Sequence, residues 1–148
     1  PITNPKGRFL SRATLNSRLR HEYVHVVLRY RLGPAVPWWL NEGLAETLSR
    51  VMDQNRLRTL RKAYRAGETS AFTALEDDPR ERLKPAEVSL AYAQSHVAVS
   101  VLWEAHQRKF PAFLEALRSG SQVESALKTH FGLDYSELDR QTQAACQP

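Results

Sequence analysis

The 148-residue sequence predicts a mostly α-helical fold, α+β at most, as one domain over residues 1–148. Three observations lead there. Apolar residues recur at three- and four-residue steps along most of the chain, which is the period of amphipathic helices. Gly and Pro fall between these runs, where helices start and stop. Neither a repeat nor a low-complexity tract breaks the pattern, and only Gly7 to Ser11 has strand character.

Taken in order, Ser11 to Leu32 places Leu15, Leu19, Tyr23, Val26, Val27 and Tyr30 on one stripe, and Gly33 with Pro34 ends that helix. Pro37 suits the first turn of a second helix, whose buried stripe is predicted to be Leu40, Leu44, Leu48 and Val51. A basic helix from about Asp53 to Ala66 stops at Gly67, and Ser70 to Arg82 reads as a short helical turn followed by a Pro-marked loop. Pro85 to His106 is a long, largely buried helix with Val88, Tyr92, Val99, Leu102 and Trp103 on its apolar side. Pro111 to Arg118 is short and closed by Gly120. Ser121 with Glu124, then Asp134 with Glu137, are the capping pairs expected to open the last two helices.

A composition of 42% hydrophobic and 25% charged residues supports a soluble core-forming domain, and no run approaches the roughly 20 apolar residues of a membrane span. The sequence opens at Pro1 rather than Met, which suggests an upstream segment and inclines localisation towards export or the bacterial cell envelope. The lone Cys146 excludes an internal disulfide and a cysteine-rich zinc knuckle, and is expected to be an exposed tail thiol. Any metal must therefore rest on His and carboxylate ligands. Residues 1–65 carry 13 Lys and Arg against 4 Asp and Glu, whereas residues 66–148 carry 8 against 12. A basic half attracts phosphates. Yet the arginines at 56, 58, 61 and 65 have no interleaved aromatics and no Gly-rich phosphate loop accompanies them, so nucleic acid is disfavoured as a partner.

The chemistry-bearing pattern is His21-Glu22-Tyr23-Val24-His25, an HExxH sequence inside the first helix. One turn apart on the same face, His21 and His25 converge on a single Zn²⁺. Glu22, rotated about 100° from His21, is in the position of a general base for a metal-activated water. Sixteen residues separate His25 from Glu42, and the second helix offers two carboxylates, Glu42 and Glu46, one turn apart. Either one completes a His₂Glu set that leaves the fourth position of tetrahedral zinc open.

HExxH followed by a helix containing NEGxxE resembles the gluzincin metallopeptidases, which include the thermolysin-like and zinc aminopeptidase families. Tyr92-Ala93-Gln94-Ser95 on the long helix, Phe113 to Gly120 and Val123 to Leu138 extend the likeness to small bacterial peptidase-MA-like domains, over roughly Leu19 to Leu138. The resemblance implies a zincin-like arrangement, with the HExxH and NEG helices packed around the metal and only a small or vestigial N-terminal sheet. It implies Glu42 as third ligand, Glu46 as a residue that hydrogen-bonds a zinc-bound histidine, and Tyr92 or His96 as the oxyanion donor. The Gly-x-Met-Glu-Asn signature of the aminopeptidases is absent, so endopeptidase action on a peptide or protein substrate is expected. Two other readings stand beside it: a non-catalytic, zinc-stabilised interaction domain, and a helical nucleic-acid-binding module. Oligomeric state has no signal in the sequence.

Overall fold

The structure, a computed structural model, describes residues 11–49 and 53–147. Its described residues form α-helices joined by short 3₁₀ turns and loops, with no strand among them. The elements are α1 (Arg12–Leu32), α2 (Trp38–Ser49), α3 (Gln54–Ala66), α4 (Pro85–His106), α5 (Phe110–Arg118), α6 (Val123–Phe131) and α7 (Tyr135–Ala145). The expected strand falls, except for Ser11, outside the described residues, as does Val51.

Local chemistry explains most boundaries. The Ser11 hydroxyl accepts from the Thr14 amide at 3.1 Å, which satisfies one of the unbonded N–H groups that open α1. Asp53 caps α3 by accepting from the Asn55 amide at 2.8 Å, and Gly67, at φ +67°, closes that helix in a left-handed turn. At the head of α4, Glu87 accepts from the Lys84 amide at 2.7 Å, while Asp134 accepts from the Glu137 amide at 2.8 Å to open α7. The capping pair expected at Ser121 does not form. Helix α6 starts after Gln122 without a side-chain cap, and Glu124 accepts instead from the Tyr135 amide at 3.1 Å, tying α6 to the start of α7.

Helices α2 and α4 lie against each other at the centre, with α1 on α2, and α3 and α7 on α4. Trp39, Leu40, Leu102, Phe113, Leu127 and Leu138 are fully buried there. Each such side chain contributes about 1.5–3 kcal/mol by leaving water. Close approach of the two central helices depends on Gly43. A Cβ at that position would lie 2.4 Å from Val99 Cγ2 and 2.5 Å from the Ser95 carbonyl oxygen. Around this centre, Asp139 of α7 accepts from the Tyr64 hydroxyl at 2.9 Å and from Gln94 at 3.3 Å, linking α3, α4 and α7.

Three burial expectations are corrected. On α1 the buried residues are Leu28 and Leu32, whereas Leu19, Tyr23, Val26, Val27 and Tyr30 are exposed, Tyr30 at 87%. The helix is apolar on two sides, and the side facing α2 is the one that carries the histidines. Leu48 is likewise exposed at the end of α2. Cys146 is not an exposed tail thiol. It is buried against Leu60, Tyr64, Ala93 and Val97, and its carbonyl oxygen accepts from Arg61 Nε at 2.5 Å. Burial pushes the thiol up to about 11, with the Arg61 charge opposing. No helix among the described residues is long and apolar enough to cross a membrane.

Candidate metal centre

The inner face of α1 presents His21 and His25 one turn apart, and α2 crosses it so that Asn41 and Glu42 meet the two rings. The Nε2 atoms of His21 and His25 lie 3.0 Å apart. Glu42 Oε2 lies 3.6 Å from the first and 3.5 Å from the second. Three donor atoms thus form a nearly equilateral triangle.

Protonation follows from the partners. His25 Nδ1 meets the Asn41 amide oxygen at 3.0 Å. An amide oxygen only accepts, so Nδ1 carries the hydrogen and Nε2 keeps its lone pair, aimed at the triangle. Glu42 is 8% exposed, and a buried carboxylate needs a countercharge. Two imidazole nitrogens and a carboxylate are the donor set of catalytic zinc sites, and ligand atoms about 2.0–2.1 Å from a tetrahedral zinc lie about 3.3 Å from one another. The observed 3.0–3.6 Å separations fit that ion.

The second α2 carboxylate is satisfied differently. Glu46 is 4% exposed and accepts from Arg56 of α3 at 3.1 Å, with His96 Nδ1 of α4 at 3.6 Å. Glu46 is thus paired with a cation of its own, whereas Glu42 faces the two imidazoles. An open cavity of about 550 Å³ runs beside the triangle, lined by His21, Glu46, Arg56, Ser89 and Tyr92 among others.

Tyr92 is half-buried and packs edge-on against Trp38, ring centroids 4.9 Å apart. Burial, then the negative charge of Glu42, hold its hydroxyl above the usual phenol range, while Arg80 opposes them. At neutral pH the group is a hydrogen-bond donor. Glu22 stands exposed on α1 beside His21. His96, one turn after Tyr92, is only 2% exposed and faces Glu46. The residues read from the sequence thus fall into four places: His21, His25 and Glu42 in the triangle, Tyr92 and Glu46 on the cavity wall, His96 behind Glu46, and Glu22 exposed on α1, outside the cavity lining.

Two residues of the site escaped the sequence reading. Asn41 precedes Glu42 directly, so its place in the motif was visible, but its contact with His25 depends on how α1 and α2 cross. Arg56 is one of several cations on α3 and had no distinguishing signal.

A family model described as the peptidase MA superfamily matches residues 12–147, nearly the whole described chain. No curated protein and no solved structure matches the chain.

Proposed function

The chain belongs to the peptidase MA superfamily, and from that premise we propose that it is a zinc-dependent peptidase, an endopeptidase rather than an aminopeptidase, with His21, His25 and Glu42 as the ligands. The observation that carries the proposal is the half-buried triangle of two imidazole nitrogens and a carboxylate with edges of 3.0–3.6 Å. Zinc bound there supplies a Lewis acid that polarises a carbonyl and brings the pKa of water to about 7.

The chain's own residues supply the rest. Glu22 accepts the proton of the attacking water and returns it to the amine nitrogen as the C–N bond breaks, which calls for a carboxylate that alternates between base and acid. Tyr92 donates its hydroxyl hydrogen to the carbonyl oxygen as charge gathers on it, and its suppressed ionisation keeps that donor available. His96 faces Glu46 from within the core, so of the two candidates Tyr92 takes the oxyanion role. In this reading Glu46, which lines the same cavity as His21, orients that ring, and Asn41 fixes the tautomer of His25.

The test is metal content by elemental analysis, with cleavage of a peptide library, for the wild type and for His21→Ala, Glu42→Ala and Glu22→Gln. About one zinc per chain should be present in the wild type and in Glu22→Gln and lost from the other two. Cleavage by Glu22→Gln should fall by about 10²–10⁴-fold. Zinc retained after Glu42→Ala would refute the ligand assignment. A zinc-loaded wild type that cleaves nothing would instead favour an interaction domain, a reading supported by the exposed Leu19, Tyr23, Val26 and Tyr30 of α1.

A further inference from the structure

Beyond the triad, the cavity continues between the first turns of α3 and α4. A second compartment of about 170 Å³ shares two walls with the first, Arg56 and Ser89. Asn55 and Thr59 of α3 add neutral hydrogen-bonding groups, and Leu90 with Ala93 supplies an apolar floor. Its lining contains no carboxylate, in contrast to the first compartment, where Glu46 sits. At roughly 30 Å³ per water-sized group, it accommodates a Glu-sized side chain.

The lining of this compartment carries one charged group, the Arg56 guanidinium, and the helix that supplies it is basic. Helix α3 carries five cations, Arg56, Arg58, Arg61, Lys62 and Arg65, and no Asp or Glu from Gln54 to Ala66. Arg56 donates to Glu46 through one nitrogen, Nη1, and a guanidinium has five N–H donors arranged in a planar fork. Held at one corner by Glu46, the group is pre-organised at the partition between the two compartments. A peptide carboxylate entering the second one meets a fixed cation and the side-chain amide of Asn55, the Thr59 hydroxyl being already donated to the Asn55 carbonyl oxygen at 2.9 Å, whereas a Lys or Arg side chain meets the Arg56 charge.

The geometry points to this compartment as the subsite for an acidic side chain of the peptide substrate, with Arg56 as the specificity-determining residue. This inference rests on the peptidase reading, and its test is arranged so that the two fail separately. Labelled decapeptides identical except for one Glu, Ala or Lys, moved through successive positions, are titrated by fluorescence anisotropy against zinc-loaded Glu22→Gln protein and digested in parallel with the wild type. At one position Glu should bind about tenfold tighter than Ala, with Lys weakest, and the same position should lie at a constant offset from the cut. Arg56→Gln should abolish the preference and Arg56→Lys retain part of it. Thr59→Asp, which leaves the contact of Arg56 with Glu46 in place, should abolish the preference independently.

Equal binding of the Glu, Ala and Lys peptides, or a preference that survives both Arg56→Gln and Thr59→Asp, would overturn the subsite whether or not the protein cleaves. A Glu preference lost in both variants, in a wild type that cuts nothing, would support the compartment and overturn the peptidase reading alone.

Discussion

Replacing Gly43 with Ala probes the contact that sets the distance between the central helices. The added Cβ would lie 2.4 Å from Val99 Cγ2 and 2.5 Å from the Ser95 carbonyl oxygen, whereas carbon atoms in contact prefer about 3.5–4.0 Å. Val99 has a side chain that can turn, but Ser95 contributes backbone in the middle of α4, so the helices must separate locally by about 1 Å. Overpacking of this kind costs about 1–3 kcal/mol, and the upper half applies because a carbonyl is the obstacle. The better helix propensity of Ala offsets about 1 kcal/mol. The net expectation is a loss of about 1–2 kcal/mol, or a melting temperature about 2–8 °C lower for a chain of this size. Circular dichroism melts of chelator-treated protein measure it. Repeating them with zinc should show a smaller zinc-induced stabilisation than in the wild type, since Glu42 moves with Gly43. In a double-mutant cycle, Val99→Ala should relieve part of the cost, because one of the two obstacles is its methyl group. A Gly43→Ala protein that melts at or above the wild-type temperature would refute the close-approach argument.

Asn41→Ala should weaken zinc affinity by about 10–100-fold in competition with a chelating dye, and Asn41→Asp, which keeps an acceptor for His25 Nδ1, should recover most of it. Tyr92→Phe should retain zinc and lower kcat by about 10²–10³-fold with little change in KM; equal kcat would remove Tyr92 from the chemistry. For Cys146 the folded pKa is raised to about 11 from an ordinary value near 9, so the unfolded chain loses its thiol proton first as pH rises. Stability from this group is intact below pH about 9 and falls by about 2–3 kcal/mol towards pH 11, which denaturant titrations of wild type and Cys146→Ala at pH 8 and 11 will separate from other alkaline effects. The native thiol should also resist a disulfide reagent that labels the unfolded chain.

The helices were legible because each is bracketed by residues with one local meaning: Asp53 and Gly67 around α3, Pro85 at the head of α4, Asp134 before α7. That the HExxH and NEG residues share helix faces was legible for a similar reason, since side-chain spacing on a helix is a local property. What depended on distant packing was not. Periodicity showed that Leu19, Tyr23, Val26 and Tyr30 share a face, but the same helix has a second face in Leu28 and Leu32, and only the position of α2 decides which is covered. Tyr92 and His96 share a helix face by spacing, yet one lines the cavity and the other lies against Glu46, because burial deepens along α4. Proximity to the C-terminus suggested an exposed Cys146, while Leu60, Tyr64 and Val97 hold it inside. Glu124 served a neighbouring helix instead of its own, which no local rule anticipates.

Adjacent residues of α2 act on the same metal triangle in different ways: Glu42 contributes a corner and Asn41 decides which nitrogen of His25 forms another. A helix that slid by one residue along α1 would rotate its side chains by about 100° and withdraw both at once. Partial assembly is thereby penalised, since a chain with the wrong register loses a ligand and leaves His25 free to adopt the other tautomer. Under the proposed function, metal capture would therefore report that α1 and α2 have found their native alignment.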